Sequence, residues 1–474
     1  MSVPSFPRAL RAVAVALTAT ATSLAAHAET IRLAIGTQDT TINCATGGLL
    51  IRELKLLDKY LPKDGKYKGV TYDVQWKNFT SGAPLTNEML ADKLDIGSMA
   101  EFPGAANGAA FEKAGKKSVF ITVLSGSTLG SGNGIVVPKD SPVTSLAELR
   151  GRTISVPFAS AAHGMLLRAL QAQGLDPAKD VNIITQAPEV AGPALQANKI
   201  EAHADFVPFA EAFPFRGFAR KIYDGAQAKS PTFHGTLVNT AFAQKYPEVV
   251  TAFLRASIEA DRLIAAEPEK YSELIEKHTG IEAPVNYLFH GPLGLQTRDH
   301  SFKPEYRQAL QTAIDTLRLL RRTDTTLSAD ALIDERFIRT AYQQSGLNYD
   351  AQLKNTAKAP LKANDALTGK AISDTARLAG IWVKDEGKVR HYASIENALK
   401  DLAQLEKAGK SARAVYVHDL IHRIKLLGNL AWYATDAKGQ VSAFLQRDAA
   451  VAYAGANKGK VFDFAGLRAG VTGR

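Results

Sequence analysis

The chain has 474 residues, 46% of them hydrophobic and 22% charged, which excludes a disordered or fibrous protein and gives room for roughly three domains. Its net charge of +10 is spread along the chain with no Lys/Arg run longer than two, so it does not build the basic stripe of a nucleic-acid groove. Cys44 is the one cysteine, which rules out an intramolecular disulfide and reads as a small buried residue rather than a nucleophile.

Residues 1–28 place Arg8 and Arg11 ahead of a short Ala/Thr-rich apolar run and end in Ala26-His27-Ala28. That is the make-up of a secretory signal cleaved after Ala28, so a soluble, exported chain starting at Glu29 is expected. Without the signal, 55 Lys and Arg stand against 47 Asp and Glu, a net +8 that favours small anions weakly. No later window has the length and apolarity of a transmembrane helix.

Ile31, Leu33 and Ile35 alternate like a first strand, and a polar turn, Gly36 to Thr41, follows. Leu50, Leu54, Leu57 and Leu61 then mark one stripe of a helix expected to reach about residue 61. The same strand–polar turn–helix unit recurs at 70–93, with Pro84 opening the helix, and at 94–104 ahead of an Ala-rich helix. An apolar run at 119–124, a glycine-rich loop at 125–134 and a strand at 135–138 complete a first unit. The βαβ rhythm argues a parallel sheet with helices on both faces. The loop has no G-x-x-x-x-G-K-[ST] and leads into a strand, so it reads as a flexible interlobe connection rather than a phosphate cradle.

A second unit repeats the rhythm, with strands at 152–157, 181–185, 202–206 and 221–223. Residues 235–239 resume the first unit, and 242–349 are helical in pattern. Residues 350–375 are polar and weakly patterned, a linker. A separate unit from 376 alternates strand-like segments (381–383, 389–392, 412–417, 430–433) with helices near 395–406 and 448–453.

On IRLAIGTQDT, FTSGAPLTNEMLADKLD, LAELRGRTISVPFASAAH, LQAQGLDPAKDV and DERFIRTAY, residues 29 to about 345 resemble periplasmic solute-binding proteins of nitrate/sulfonate/taurine ABC importers, the SsuA-like family. The resemblance implies an α/β, two-lobed periplasmic-binding-protein (type 2) fold. Lobe one is expected at 29–137 and 235–349 and lobe two at 138–234, closing on a small ligand for delivery to a membrane permease. It further implies a periplasmic location, a binding rather than enzymatic role and a monomer. On GKVRHYASIENALKDLA, ARAVYVHD and AWYATDAKGQV, residues 376–474 resemble the NosL-type accessory proteins, a small α+β domain of a copper-chaperone family. That family uses cysteine and methionine here, and this chain has neither in that stretch, so a fold remnant or docking module without the copper site is expected and no cofactor is assigned.

In open α/β sheets, ligands sit at the carboxyl ends of strands. That places the ligand at Gln38, Asp39 and Thr40, then Thr80, Ser81 and Gly82, then Ala100 and Glu101, with Ser160 and His163 from lobe two. Hydroxyls and N–H groups at helix starts suit an oxyanion, whereas Asp39 and Glu101 favour a cationic or donor-rich solute, so the expected ligand is anionic or zwitterionic. Phe206, Pro208 and Phe209 read equally as an apolar wall or as hinge packing. His418 and His422 have zinc-like i, i+4 spacing but no third ligand, and read as surface histidines. The alternatives are metal handling through the C-terminal unit and an enzyme acting in the cleft, although no G-x-S-x-G, carboxylate pair or triad order is present.

Overall fold

The computed structural model describes residues 1–2, 29–320, 323–355 and 361–472. The signal segment with its cleavage point lies outside these residues, as does 356–360 of the expected linker.

Two five-stranded sheets of like topology form the two lobes. The first has the order β2-β1-β3-β10-β4, built from β1 (Thr30–Thr37), β2 (Thr71–Asn78), β3 (Ile96–Ala100), β4 (Ser118–Ser127) and β10 (Thr232–Asn239). The second has the order β7-β6-β8-β5-β9, built from β5 (Gly134–Pro138), β6 (Thr153–Val156), β7 (Asn182–Thr185), β8 (Ala202–Asp205) and β9 (Ala219–Asp224). Neither sheet is wholly parallel, as the rhythm had suggested. β1 runs parallel to β2 and β3, but β10 is antiparallel to β3 and β4, and β5 is antiparallel to β8 and β9. The reason is the double crossing: β5 and β10 each enter a sheet from the other lobe, and so run against their neighbours.

Where the crossings meet, side chains are excluded. A Cβ on Gly225 would collide with the Gly130 carbonyl, and Gly130 itself sits at φ +95. Only glycine tolerates both the approach and the angle. The expected flexible loop at 125–134 is instead held in place: Ser127 Oγ accepts from Gly130 N and Ser131 N at 3.0 Å, and Gln296 Nε2 donates to the Ser131 carbonyl at 2.9 Å.

The single helix expected to reach residue 61 is broken. The chain makes a 3-10 turn, Ile42–Gly47, then two one-turn helices, Leu49–Glu53 and Leu56–Tyr60, split by Lys55 at φ 52. Leu50, Leu57 and Leu61 of the stripe are buried and Leu54 is half-buried against the same core, so periodicity alone could not reveal the break. Helices from Pro247–Ala266 to Arg336–Gln344 complete lobe one.

The C-terminal unit has a four-stranded sheet, β12-β11-β13-β14, and a three-stranded one, β16-β15-β17. Its strands are β11 (Ala379–Val383), β12 (Arg390–Tyr392), β13 (Ala412–His418), β14 (Lys425–Leu427), β15 (Trp432–Thr435), β16 (Val441–Phe444) and β17 (Val461–Phe462). β14 and β16 are too short to show in the pattern. Part of the expected linker is ordered: Tyr349–Lys354 is helical, and buried Asp365 accepts from Ala393 N at 2.7 Å and Asn397 Nδ2 at 2.9 Å. His418 is buried at the end of β13 with Nδ1 3.2 Å from the Leu378 carbonyl, correcting its reading as a surface histidine. His422 is half-buried against Asp419 at 3.1 Å. The unit seats on the helices Pro268–Thr279 and Ala283–His290. Arg413 pairs there with Glu273 and Glu276, and Tyr416 donates to the Pro284 carbonyl at 3.0 Å. Toward lobe two, Gln446 Nε2 reaches the Ile222 carbonyl at 3.2 Å.

Candidate ligand-binding cleft

The turn after β1 is engaged within the fold. Gln38 is buried and its amide donates to the Ser98 carbonyl at 2.8 Å, tying the end of β1 to β3. Asp39 pairs with Arg52 at 3.0 Å, and its backbone N donates to Asn78 Oδ1 at 2.9 Å. The carboxylate that had argued for a cationic ligand is thus neutralised from within lobe one. Thr40 is half-buried beside it. The broken helix leaves no long dipole pointing at this turn.

The next two turns start the helices Gly82–Leu90 and Glu101–Lys113. Thr80 is exposed and Ser81 half-buried, and a Cβ on Gly82 would lie 2.5 Å from Pro103 Cβ, so glycine lets the two helix starts press together. Ala100, at the end of β3, is paired with His234 on β10. Glu101 is 3% exposed; its carboxylate accepts from Thr232 Oγ1 at 3.0 Å and Phe233 N at 3.1 Å. Burial pushes the Glu101 carboxyl up from its usual range, against those hydrogen bonds and the charge of Arg168.

From lobe two, Ser160 caps the helix Ala161–Ala172: its Oγ accepts from His163 N at 3.2 Å and donates to the Pro157 carbonyl at 2.6 Å. Ala159, just before it, is held at φ 57, a left-handed conformation costly for a residue with a Cβ. The kink leaves Phe158 41% exposed and stacked on His163, with centroids 4.8 Å apart and planes 4° apart. Across from this pair lies a cavity of about 760 Å³ between the lobes, walled by Phe102, Ala106, Ala109 and Ala110 of lobe one and Phe158 and His163 of lobe two. Of the ten residues expected at the ligand, His163 alone lines this cavity; Ser81, Gly82, Ala100, Glu101 and Ser160 sit at the helix starts that flank the seam.

Arg168 was not expected. It lies on the Ala161–Ala172 helix, and its Nε is buried without a hydrogen-bond partner. Burial pulls its pKa down, with Glu101 and Tyr223 acting in the opposite sense through space. A Cβ built on Gly164 would lie 2.9 Å from Phe102 Cδ2 and 3.4 Å from Arg168 Nη1, so the guanidinium and the cavity-lining ring flank the same spot. In sequence, Arg168 is one polar position in an amphipathic helix, and nothing local says that its face meets the other lobe. Phe206 and Phe209 pack edge to face at 5.9 Å and are buried, the hinge-packing alternative.

Asn43 and Asn133 complete the seam. Asn43 Nδ2 donates to His234 Nδ1 at 3.2 Å and to Gln296 Oε1, and Asn133 Nδ2 reaches Thr232 Oγ1 at 3.3 Å. The Oδ1 atoms of both are buried without a partner. Cys44 is 2% exposed and burial pushes its thiol up, away from nucleophilic use.

Two α/β lobes joined by two crossing strands, with paired helix starts and a cavity between them, define a two-lobed solute-binding protein. A profile of the NMT1-like family matches residues 28–277, and the chain belongs to that family. It is 31% identical over 208 residues to the taurine-binding periplasmic protein of Escherichia coli (strain K12), covering 43% of this chain and 61% of that protein. The periplasmic aliphatic sulphonate binding protein SsuA from Escherichia coli superposes with a TM-score of 0.52 at 25% identity, over 66% of this chain and 99% of that one. The alkanesulfonate-binding protein SsuA from Xanthomonas axonopodis pv. citri, bound to MOPS, gives a TM-score of 0.53 at 21% identity, over 65% of this chain and 99% of that one. These relatives are named as binding proteins, and at the level of fold alone the desulfurization enzyme DszB also superposes, with a TM-score of 0.50 at 14% identity over 66% of this chain and 99% of that one.

Proposed function

We propose that the protein is the periplasmic substrate-binding component of an ABC importer, and that it captures a small organic anion of the sulfonate class between its lobes for delivery to a permease. The observation that carries this reading is Arg168, a cation near the seam whose Nε has no partner and whose guanidinium reaches back along the Ala161–Ala172 helix to Gly164. A buried guanidinium nitrogen without a hydrogen-bond partner is costly, and a bound sulfonate would offset that cost with charge-assisted hydrogen bonds. The named relatives support the same class of solute. Closure would exchange ligand hydration for fixed donors from both lobes.

The C-terminal unit, whose resemblance to NosL-type proteins rests on sequence alone, is proposed as a docking module. Its seating on Pro268–Thr279 and Ala283–His290 supports that role. Among the described residues no group of three or more His, Cys, Asp or Glu side chains is placed to hold a metal ion.

Thermal unfolding of the mature chain against ethanesulfonate, taurine, nitrate and sulfate tests the solute class. A ligand at a hundred times its Kd adds about 2.7 kcal/mol to the folded state. Stabilisation by sulfonates above the others is expected; no response to any sulfonate would remove the proposal.

A further inference from the structure

The C-terminal unit covers the outer edge of the second lobe's sheet, and the cover is incomplete. β9 ends the strand order of that sheet, so one side of it has no neighbouring strand. The cover touches it at Ile222, whose carbonyl accepts from Gln446 Nε2. Alongside Ala219, Arg220 and Lys221 the two units stand apart and enclose a cavity of about 510 Å³, room for roughly seventeen waters at ~30 Å³ each. None of its lining residues belongs to the cavity between the lobes. Boundaries between folded units are where small-molecule sites concentrate, as apolar walls with a few fixed polar groups.

The walls fit that description. The C-terminal unit supplies Trp432 and Phe464, both half-buried, with buried Leu427 and with Leu430, a leucine left 40% exposed. The turn that presents them is fixed: a Cβ on Gly428 would lie 2.8 Å from Val415 Cγ1, and the Gly428 carbonyl accepts from the Tyr433 hydroxyl at 2.6 Å. Lobe two supplies Pro214 and Phe215 from the end of the helix Phe209–Phe215. The charged groups differ in what they have left to give. Glu211 and Lys221 are spent on each other, and Lys221 also donates to Asp224 at 2.5 Å. Lys139, Asp140 and Asp463 are exposed to water, and Asp463 Oδ1 already accepts from Gly466 N at 2.7 Å. Arg220 is half-buried with no ion pair among the described residues. Its Nη2 donates to the Ser141 and Val143 carbonyls at 2.9 and 2.7 Å, and its Nε and Nη1 donate to no described residue. Glu148, which acts on it through space, is committed to Thr144 and Ser145. A half-buried cation without a counter-ion, beside an aromatic and aliphatic wall, suits an anion with an apolar body.

We propose that this pocket is a second ligand site, separate from the cleft between the lobes, and that it takes a singly charged amphipathic anion of the alkyl carboxylate kind. The head meets Arg220, and the chain lies against Trp432 and Leu430. One unpaired guanidinium, with Asp140 and Asp463 in the same lining, suits a single negative charge better than a phosphate. The site stands on Arg220 and the apolar wall alone, whether or not the cleft binds a sulfonate. Each methylene buried against the wall raises affinity about fourfold, equivalent to ~0.8 kcal/mol.

Tryptophan fluorescence of the full mature chain, titrated with 8-bromooctanoate below its micellar range, tests the proposal, because bromine quenches a ring that it touches. Trp432 is one of three tryptophans, and Trp432→Phe separates its signal from those of Trp76 and Trp382. Saturable quenching is expected in the parent chain and not in Trp432→Phe. Octanoate should displace the probe at least tenfold more effectively than butanoate, while octylamine and ethanesulfonate should leave it bound. Arg220→Gln and Leu430→Asp should each weaken the probe at least tenfold, with far-ultraviolet circular dichroism and the melting curve establishing that each variant folds. The inference is overturned by the absence of saturable quenching, by quenching unchanged in Trp432→Phe, by octylamine displacing the probe as well as octanoate does, or by affinity unmoved in both binding variants. Displacement by ethanesulfonate would assign the probe to the interlobe cleft and overturns it too. Each of these results leaves the sulfonate reading intact.

Discussion

The seam between the lobes and the seam between lobe one and the C-terminal unit are made of different chemistry. The first is seen at the crossings, where lobe-one residues make directional polar contacts: Asn43 to His234 and Gln296, Gln296 to Ser131 in the segment that crosses over, Thr232 to Glu101. The second is aromatic and cationic. Tyr287 packs on Trp382 at 5.5 Å and on Tyr416 at 5.3 Å, and Lys425 Nζ sits 4.1 Å from the Tyr287 ring centroid and donates to the Pro292 carbonyl at 3.2 Å. Glu269 holds Val389 N at 3.0 Å and Lys388 at 3.3 Å from the lobe-one side. Hydrogen bonds of the first kind can be exchanged for water or ligand at little net cost, whereas a desolvated ring-and-ammonium cluster loses apolar contact and cation–π attraction when it parts. The crossing region is therefore suited to yielding and the C-terminal seam to staying shut.

The largest effect that would break this contrast is Trp382→Ala. Trp382 is fully buried, donates through Nε1 to the Glu386 carbonyl at 3.0 Å and carries Arg413 over its ring at 4.7 Å. Its removal should cost about 3–5 kcal/mol, read in urea unfolding as early loss of the C-terminal unit with the lobes still cooperative. A single shared transition would mean that the two seams belong to one core. Next is Gln296→Leu, which strands the Ser131 carbonyl and an amide hydrogen of Asn43; about 1–3 kcal/mol is expected, with a larger radius of gyration in solution scattering as the lobes part.

Acid should titrate the two seams in order. Burial, with Lys425 nearby, lowers His391 at the C-terminal seam to about 4, and burial lowers His234 at the lobe seam to about 3. A histidine depressed by folding stabilises the fold above its unfolded value near 6.5, and that contribution is lost as pH falls through the folded value. Both contributions therefore fade from about pH 6.5 downward, and histidine resonances should show His391 taking up its proton before His234; reversal would contradict the assignment. The smallest effect is Glu386→Gln. Hydrogen bonds from Arg390 hold the Glu386 carboxyl down at about 2. Its stabilisation is present above the usual carboxylate range and lost as pH falls toward 2; because the group is well exposed, under about 1 kcal/mol is at stake at neutral pH.

Strands, the repeated strand–turn–helix unit and the Ala-rich helix were legible because each is a local pattern. What failed were features set by a single residue or by distant contact. Lys55 turns the chain left-handed without disturbing the leucine stripe, and β10 reverses direction only because it returns from lobe two. Gln38 and Asp39 read as ligand groups from their place after a strand, and the pattern gave no sign that the fold also engages them through Ser98 and Arg52. Arg168 was invisible for the opposite reason: its helix is ordinary, and only lobe packing brings it to Gly164 and Phe102.

The central claim is that the seam between the lobes binds a sulfonate through Arg168. Titration calorimetry of ligand-free mature protein with an alkanesulfonate, in the parent chain and in Arg168→Gln, tests it directly. One saturable site in the parent and at least a tenfold loss of affinity in the variant are predicted; equal affinity in the two, or no site in the parent, would contradict the account.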